Sequence, residues 1–102
     1  MSNLLIRFSL QDQILFAKRL ATLIKAGVPI AEALKILAKQ APSSFTRRVF
    51  DVMIADVQAG QFLHTSMNKF RKLFGDFAGN IVRIGETSGT LQENLNYLAD
   101  EL

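Results

Sequence analysis

Residues 83–102, "RIGETSGTLQENLNYLADEL", decide how the chain is to be read. Two glycines, Gly85 and Gly89, bracket a glutamate and two hydroxyl residues, and an amphipathic pattern follows at once. Such a segment is either a small reactive or anion-binding loop or a joint between two helices. Thr90 stands three residues before Glu93, the spacing of a capping box, and Leu91, Leu95, Leu98 and Leu102 recur at helical intervals. "GETSG" therefore reads as the connection into a final helix.

The same logic works backwards along the chain. Ser9 and Asp12 are spaced to cap a helix from Leu10 to about Ala26, whose apolar residues spread over more than one stripe. Gly27 suits a left-handed turn, and Pro29 suits the first turn of a second helix whose apolar face is Ile30, Ala33, Leu34, Leu37, Ala38 and Ala41. The two form an αα-hairpin. Pro42, Ser43 and Ser44 end that helix and cap a third, which carries Val49, Phe50, Met53, Ile54 and Val57 and closes at Gly60. A short helix over 61–70 and a fifth over 74–86 complete an all-α bundle of about six helices built from antiparallel helix hairpins. Residues 1–9 read as a lead-in and 10–102 as the helical domain.

Composition bounds what such a bundle can do. With 102 residues there is room for one domain. The absence of cysteine removes disulfides and thiolate metal sites and favours a reducing compartment, the cytoplasm by default. No apolar run reaches the length of a membrane span, so a soluble chain is expected. The net charge of +3 is a mild bias toward anionic partners, with basic residues grouped at Lys18, Arg19 and Lys25, at Arg47 and Arg48, and at Lys69, Arg71 and Lys72. The C-terminal end is acidic.

Catalytic chemistry has little to draw on. His64 is the only histidine and reads as a solvent-facing or capping residue. Thr65 and Ser66 beside it belong to no nucleophile motif. "GETSG" lacks the lysine and the preceding strand of a phosphate-binding loop. Among the carboxylates, Glu86 is the one to consider as an oxygen ligand for a hard cation such as calcium, alone or across a dimer contact, although the spacing matches no dedicated loop. A helix-turn-helix over "LATLIKAGVPIAEALKIL" would place Ile30, Ala31, Glu32 and Ala33 where a DNA reader shows polar side chains. A small DNA-binding or regulatory module is thus the alternative reading, and no nucleic acid is expected.

Three blocks, "FAKRLATLIKAGVPIAEALKIL", "DVQAGQFLHTSM" and "IVRIGETSGTLQENLNYLADEL", resemble the repeated cytoplasmic domain of the GspF/PilC family, inner-membrane platform proteins of type II secretion and type IV pilus assembly. The resemblance runs from about Leu10 to Leu102. It implies that Gly27, Pro29, Gly60, Gly85, Glu86, Gly89 and Leu91 are architectural. It also implies a non-catalytic scaffold without a cofactor, on the cytoplasmic face of the bacterial inner membrane, coupling an assembly ATPase to polymerisation of pilin or pseudopilin subunits. The chain would then be a fragment, attached to the membrane through segments outside it and contacting other platform components. Two positions depart from the family pattern: His64 stands where a small hydroxyl residue commonly caps the fourth helix, and Gly75 where proline is usual. The broad apolar surface of the first helix suggests a homodimer or higher oligomer, with Phe16, Leu20 and Leu23 as a dimer or partner surface.

Overall fold

A computed structural model describes residues 8–102, and the part of the lead-in before Phe8 lies outside them. Among the described residues there are six helices and no strand: α1 Leu10–Lys25, α2 Ile30–Lys39, α3 Ser44–Gln58, α4 Leu63–Asn68, α5 Arg71–Ser88 and α6 Leu91–Glu101. The all-α bundle expected from the periodicity is the observed architecture. No described helix is long and apolar enough to cross a membrane.

Local chemistry sets the helix ends. Ser9 accepts from the Asp12 backbone N–H at 3.1 Å and Asp12 accepts from the Ser9 N–H at 2.9 Å, the reciprocal capping box read from the sequence. Gly27, with φ +87°, turns the chain out of α1, and Pro29 is the N-cap of α2, one position earlier than a first-turn proline. Ser43 caps α3 through the Thr46 N–H at 3.1 Å, and Gly60 follows α3 with φ +94°. The final helix departs from expectation. Thr90 has φ −124° and ψ 31°, not the extended backbone that aims a hydroxyl at the first-turn N–H groups, so no Thr90/Glu93 capping box forms.

Successive helices pack on one another, and α1 lies along α6, so the first and last described helices close the bundle. The radius of gyration, 12.3 Å, is about that of a well-packed domain of this size. The core draws on every helix, with Leu20, Leu34, Met53, Leu63, Met67, Val82, Leu95 and Leu98 almost wholly enclosed. Phe8 belongs to it as well: its ring sits edge-on to Phe50 and Phe74, with centroids at 6.4 and 5.3 Å, so the end of the lead-in is part of the packed domain.

Phe16 stacks on Phe50 with ring centroids 5.7 Å apart, and Leu20 is fully buried. Both are interior residues, which removes them from the expected dimer or partner surface. The apolar breadth of α1 is used inside the domain, against Phe8, Phe50, Phe74 and the facing α6. Leu23 alone of the three stays half-buried at the surface.

Candidate functional site

The residue types that stand out in the sequence converge on one joint. Helix α4 is only one and a half turns long, and its N-cap, Phe62, has no side chain able to accept a hydrogen bond. The acceptor comes from α5, more than twenty residues on. Glu86 Oε2 accepts from the Leu63 backbone N–H at 2.7 Å, and Glu86 Oε1 accepts from the His64 backbone N–H at 2.8 Å. A carboxylate at a helix N-terminus satisfies N–H groups without intrahelical partners and is favoured by the helix dipole. The Glu86 side chain is 6% exposed, so these bonds face little competition from water.

His64 completes the clasp. Its Nδ1 lies 2.8 Å from Glu86 Oε1 and its side chain is 15% exposed, while the Phe62 ring stacks over it at a centroid distance of 5.3 Å. The histidine read as solvent-facing or capping thus turns its ring onto the carboxylate that caps its own helix. The N-cap of α4 is Phe62, so position 64, where the family pattern has a hydroxyl cap, lies inside the helix and is not the capping position.

The glycine beside Glu86 makes a second contact. A Cβ on Gly85 would stand 2.8 Å from Leu91 Cα and 3.1 Å from Asn94 Cβ, so the α5 backbone approaches α6 closer than any side chain permits. Asn94 Nδ2 donates to the Ile81 carbonyl at 3.1 Å across the same seam. Gly89, with φ +71°, ends α5 in the left-handed region, and the Thr90 N–H returns to the Gly85 carbonyl at 2.9 Å. Thr87 donates to the Arg83 carbonyl of its own helix at 2.9 Å. "GETSG" is a joint in which the glycines set backbone and the glutamate reaches back to the N-terminus of α4.

The three blocks singled out in the sequence border one shallow groove here. Ile24 and Ile30 come from the first, Val57, Gln61 and Phe62 from the second, and Gly85, Glu86, Gly89 and Leu91 from the third. Gly27, Pro29 and Gly60 flank it as turn residues.

A second polar cluster ties α3 to α4. Asp56 Oδ2 accepts from Ser66 Oγ and from Lys69 Nζ, both at 2.8 Å, and Ser66 is completely buried. The Lys69 hydrogen bond first, and the Ser66 hydroxyl second, hold the Asp56 carboxyl below its ordinary range. Ser66 spends its proton on Asp56 while the neighbouring imidazole faces Glu86, so the two form no nucleophile–base pair. Asp56, Asn94 and the pairing of the His64 ring with Glu86 were not read from the sequence. Their partners lie on other helices, at separations without a local signature.

Among the described residues no three His, Asp or Glu side chains gather as metal ligands, and both Glu86 oxygens are turned onto N–H groups. On α2, Glu32 pairs with Lys35 at 3.2 Å on the exposed face while Ala33 is buried, so an acid that would face phosphate stands at the surface of the would-be recognition helix.

The fold and its joint define an all-helical domain whose polar residues of note hold helices to one another. The chain belongs to the family of type II secretion system protein F, whose model matches residues 16–102. It is 36% identical over 91% of its length to a type IV pilus assembly protein PilC of Thermus thermophilus. It is 38% identical over 85% of its length to a type II secretion system protein F of Xanthomonas campestris, and 35% identical over 90% to that of Aeromonas hydrophila. The chain spans less than a quarter of the length of these relatives, 23%, 22% and 24% respectively.

Proposed function

We propose that this domain is a non-catalytic scaffold of a type II secretion or type IV pilus assembly platform. It acts at the cytoplasmic face of the bacterial inner membrane and couples the assembly ATPase to polymerisation of pilin or pseudopilin subunits. The observation that carries the reading is the use made of the polar residues. Glu86 and His64, the pair a hydrolase would need free, are consumed in capping α4, and Ser66 and Asp56 join α3 to α4. A packed unit of this kind can transmit force between partners, and among the described residues base, nucleophile and orienting group are engaged in holding helices together. Family membership and the names of the relatives support the choice of machine.

The test uses the full-length protein in its own cells. Replacing residues 10–102 by a flexible linker of equal reach should abolish export or pilus extension and release the assembly ATPase from the membrane fraction. The purified domain should bind that ATPase and change its turnover while hydrolysing nothing itself. ATPase recruitment and assembly that persist without the domain would overturn the scaffold reading.

A further inference from the structure

The joint described above leaves a different surface unexplained. Between α1 and α2 runs an open groove of about 280 Å³ with Leu23, Ile36 and Leu37 as its floor and Lys18, Arg19 and Gln40 on its rim. Ile36 is 40% exposed, although its immediate neighbour Leu37 is buried. Arg19 Nη1 donates to Gln40 Oε1 at 3.2 Å, which holds the guanidinium over one end of the groove. No carboxylate lines it. Of the acids on these two helices, Glu32 pairs with Lys35, and Asp12 caps the start of α1 and lines the neighbouring hollow with Arg19 and Gln40.

Helical geometry extends the basic rim beyond the groove. Lys25 follows Lys18 by seven residues, two turns and about 10 Å along the same stripe of α1, and Lys39 stands one turn beyond Ile36 on α2. A strip of apolar surface with cations along both sides fits one kind of occupant. We propose that this groove docks an acidic amphipathic helix of a partner protein. Leucine-type side chains one and two turns apart fill the floor over Leu23 and Ile36, and carboxylates on the flanks meet Lys18, Arg19, Lys25 and Lys39. The surface dips between α1 and α2, and a single helix fits such a trough more closely than a bilayer does. Nucleic acid would leave the apolar floor against phosphate and sugar. The inference rests on the scaffold reading only in that it supplies such a domain with a protein partner.

The experiment places a photo-crosslinker in the floor, Ile36→p-benzoylphenylalanine in the full-length protein, irradiates native cells and maps the adduct by mass spectrometry. Val52, equally exposed on α3 and outside the groove, carries the control crosslinker. The adduct should map to a partner segment with apolar residues at helical spacing and a net negative charge. As a synthetic peptide, that segment should bind the domain with an affinity that falls as salt rises. Lys18→Glu with Arg19→Glu should weaken binding roughly tenfold, as should Ile36→Asp, while Arg47→Glu with Arg48→Glu changes it less than about twofold. Absence of an Ile36-specific adduct, an adduct to lipid or to a segment that is not acidic, or indifference to the Lys18/Arg19 reversal would each overturn the proposal. An acidic helix from a protein of no export or pilus machine would support the groove and count against the scaffold reading.

Discussion

Replacing Glu86 by alanine removes the only side-chain cap on α4 among the described residues, and the structure sets the size of the loss. Leu63 is wholly buried, so its N–H would be stranded away from water, a loss of about 2 kcal/mol; His64 is partly accessible, so water recovers some of the second bond and about 1 kcal/mol goes with it. Loss of an N-cap by itself is worth about 1 kcal/mol, which is the same interaction seen from the helix, so the terms are not summed. The expected destabilisation is about 3 kcal/mol, a large fraction of the roughly 5–14 kcal/mol available to a domain of this length. With an m-value of about 1–1.5 kcal/mol/M in urea, the unfolding midpoint followed by far-ultraviolet circular dichroism falls by roughly 2–3 M. Glu86→Gln keeps one acceptor oxygen but turns an amide NH₂ toward the other backbone N–H, so it should fall between wild type and Glu86→Ala. Amide exchange localises the effect, with Leu63 and His64 losing protection ahead of α3 and α6. A Glu86→Ala protein within about 0.5 kcal/mol of wild type would refute the view that this carboxylate holds α5 to the start of α4.

Two glycines of α5 should respond to alanine in opposite directions. At Gly85 the helix-propensity gain of about 1 kcal/mol is outweighed by a Cβ placed 2.8 Å from Leu91 Cα, for a net loss of about 1–2 kcal/mol in urea unfolding. At Gly79 the nearest atom is Asn68 Oδ1 at 3.1 Å, the end of an exposed side chain, so Gly79→Ala should be neutral or stabilising. Gly75 has φ +80° and ψ 165° with open space around it, so Gly75→Ala should lose about 1–3 kcal/mol from backbone strain alone, and an unchanged midpoint would contradict that backbone. Because the folded state lowers the Asp56 pKa, its contribution is present above the unfolded carboxylate pKa near 4 and is lost as pH falls through the folded value. Asp56→Asn should therefore be less stable than wild type above about pH 5 and show a shallower decline below about pH 4, measured by urea midpoints across that range.

How far the sequence could be read depended on the distance between partners. The Ser9/Asp12 box, the Ser43 cap and the turns at Gly27 and Gly60 involve residues within a few positions of one another, and all were legible. Thr90 and Glu93 satisfied the same pattern and failed, because the left-handed residue before them sets the direction of entry into α6 and leaves Thr90 outside the extended region. Phe16 and Leu20 were misplaced for a related reason. A helix with apolar residues on several stripes can serve a second molecule or several neighbours in its own domain, and only the positions of Phe50, Phe74 and α6 decide between them.

The one sequence-level hint at the distant clasp lay in α4 itself. Its start, "QFLHTS", offers no acceptor at the capping position, and a helix this short does not persist with its N–H groups unsatisfied. A missing cap thus implied an acceptor from elsewhere, and Glu86, a lone carboxylate between two glycines, was the residue whose role was still open. The geometry explains why the two features are neighbours. Consecutive residues on a helix point about 100° apart, so Gly85 faces α6 while Glu86 faces α4. One rotational setting of α5 satisfies both the close backbone approach and the cap. A shift of α5 by one residue would either put the Glu86 carboxylate against Leu91 with Thr87 at the Leu63 N–H, or put Ile84 against Leu91 with a glycine at the Leu63 N–H, and in each case both losses fall on buried groups. The pair therefore specifies the register of α5 against its two neighbours at once, which neither residue could do alone.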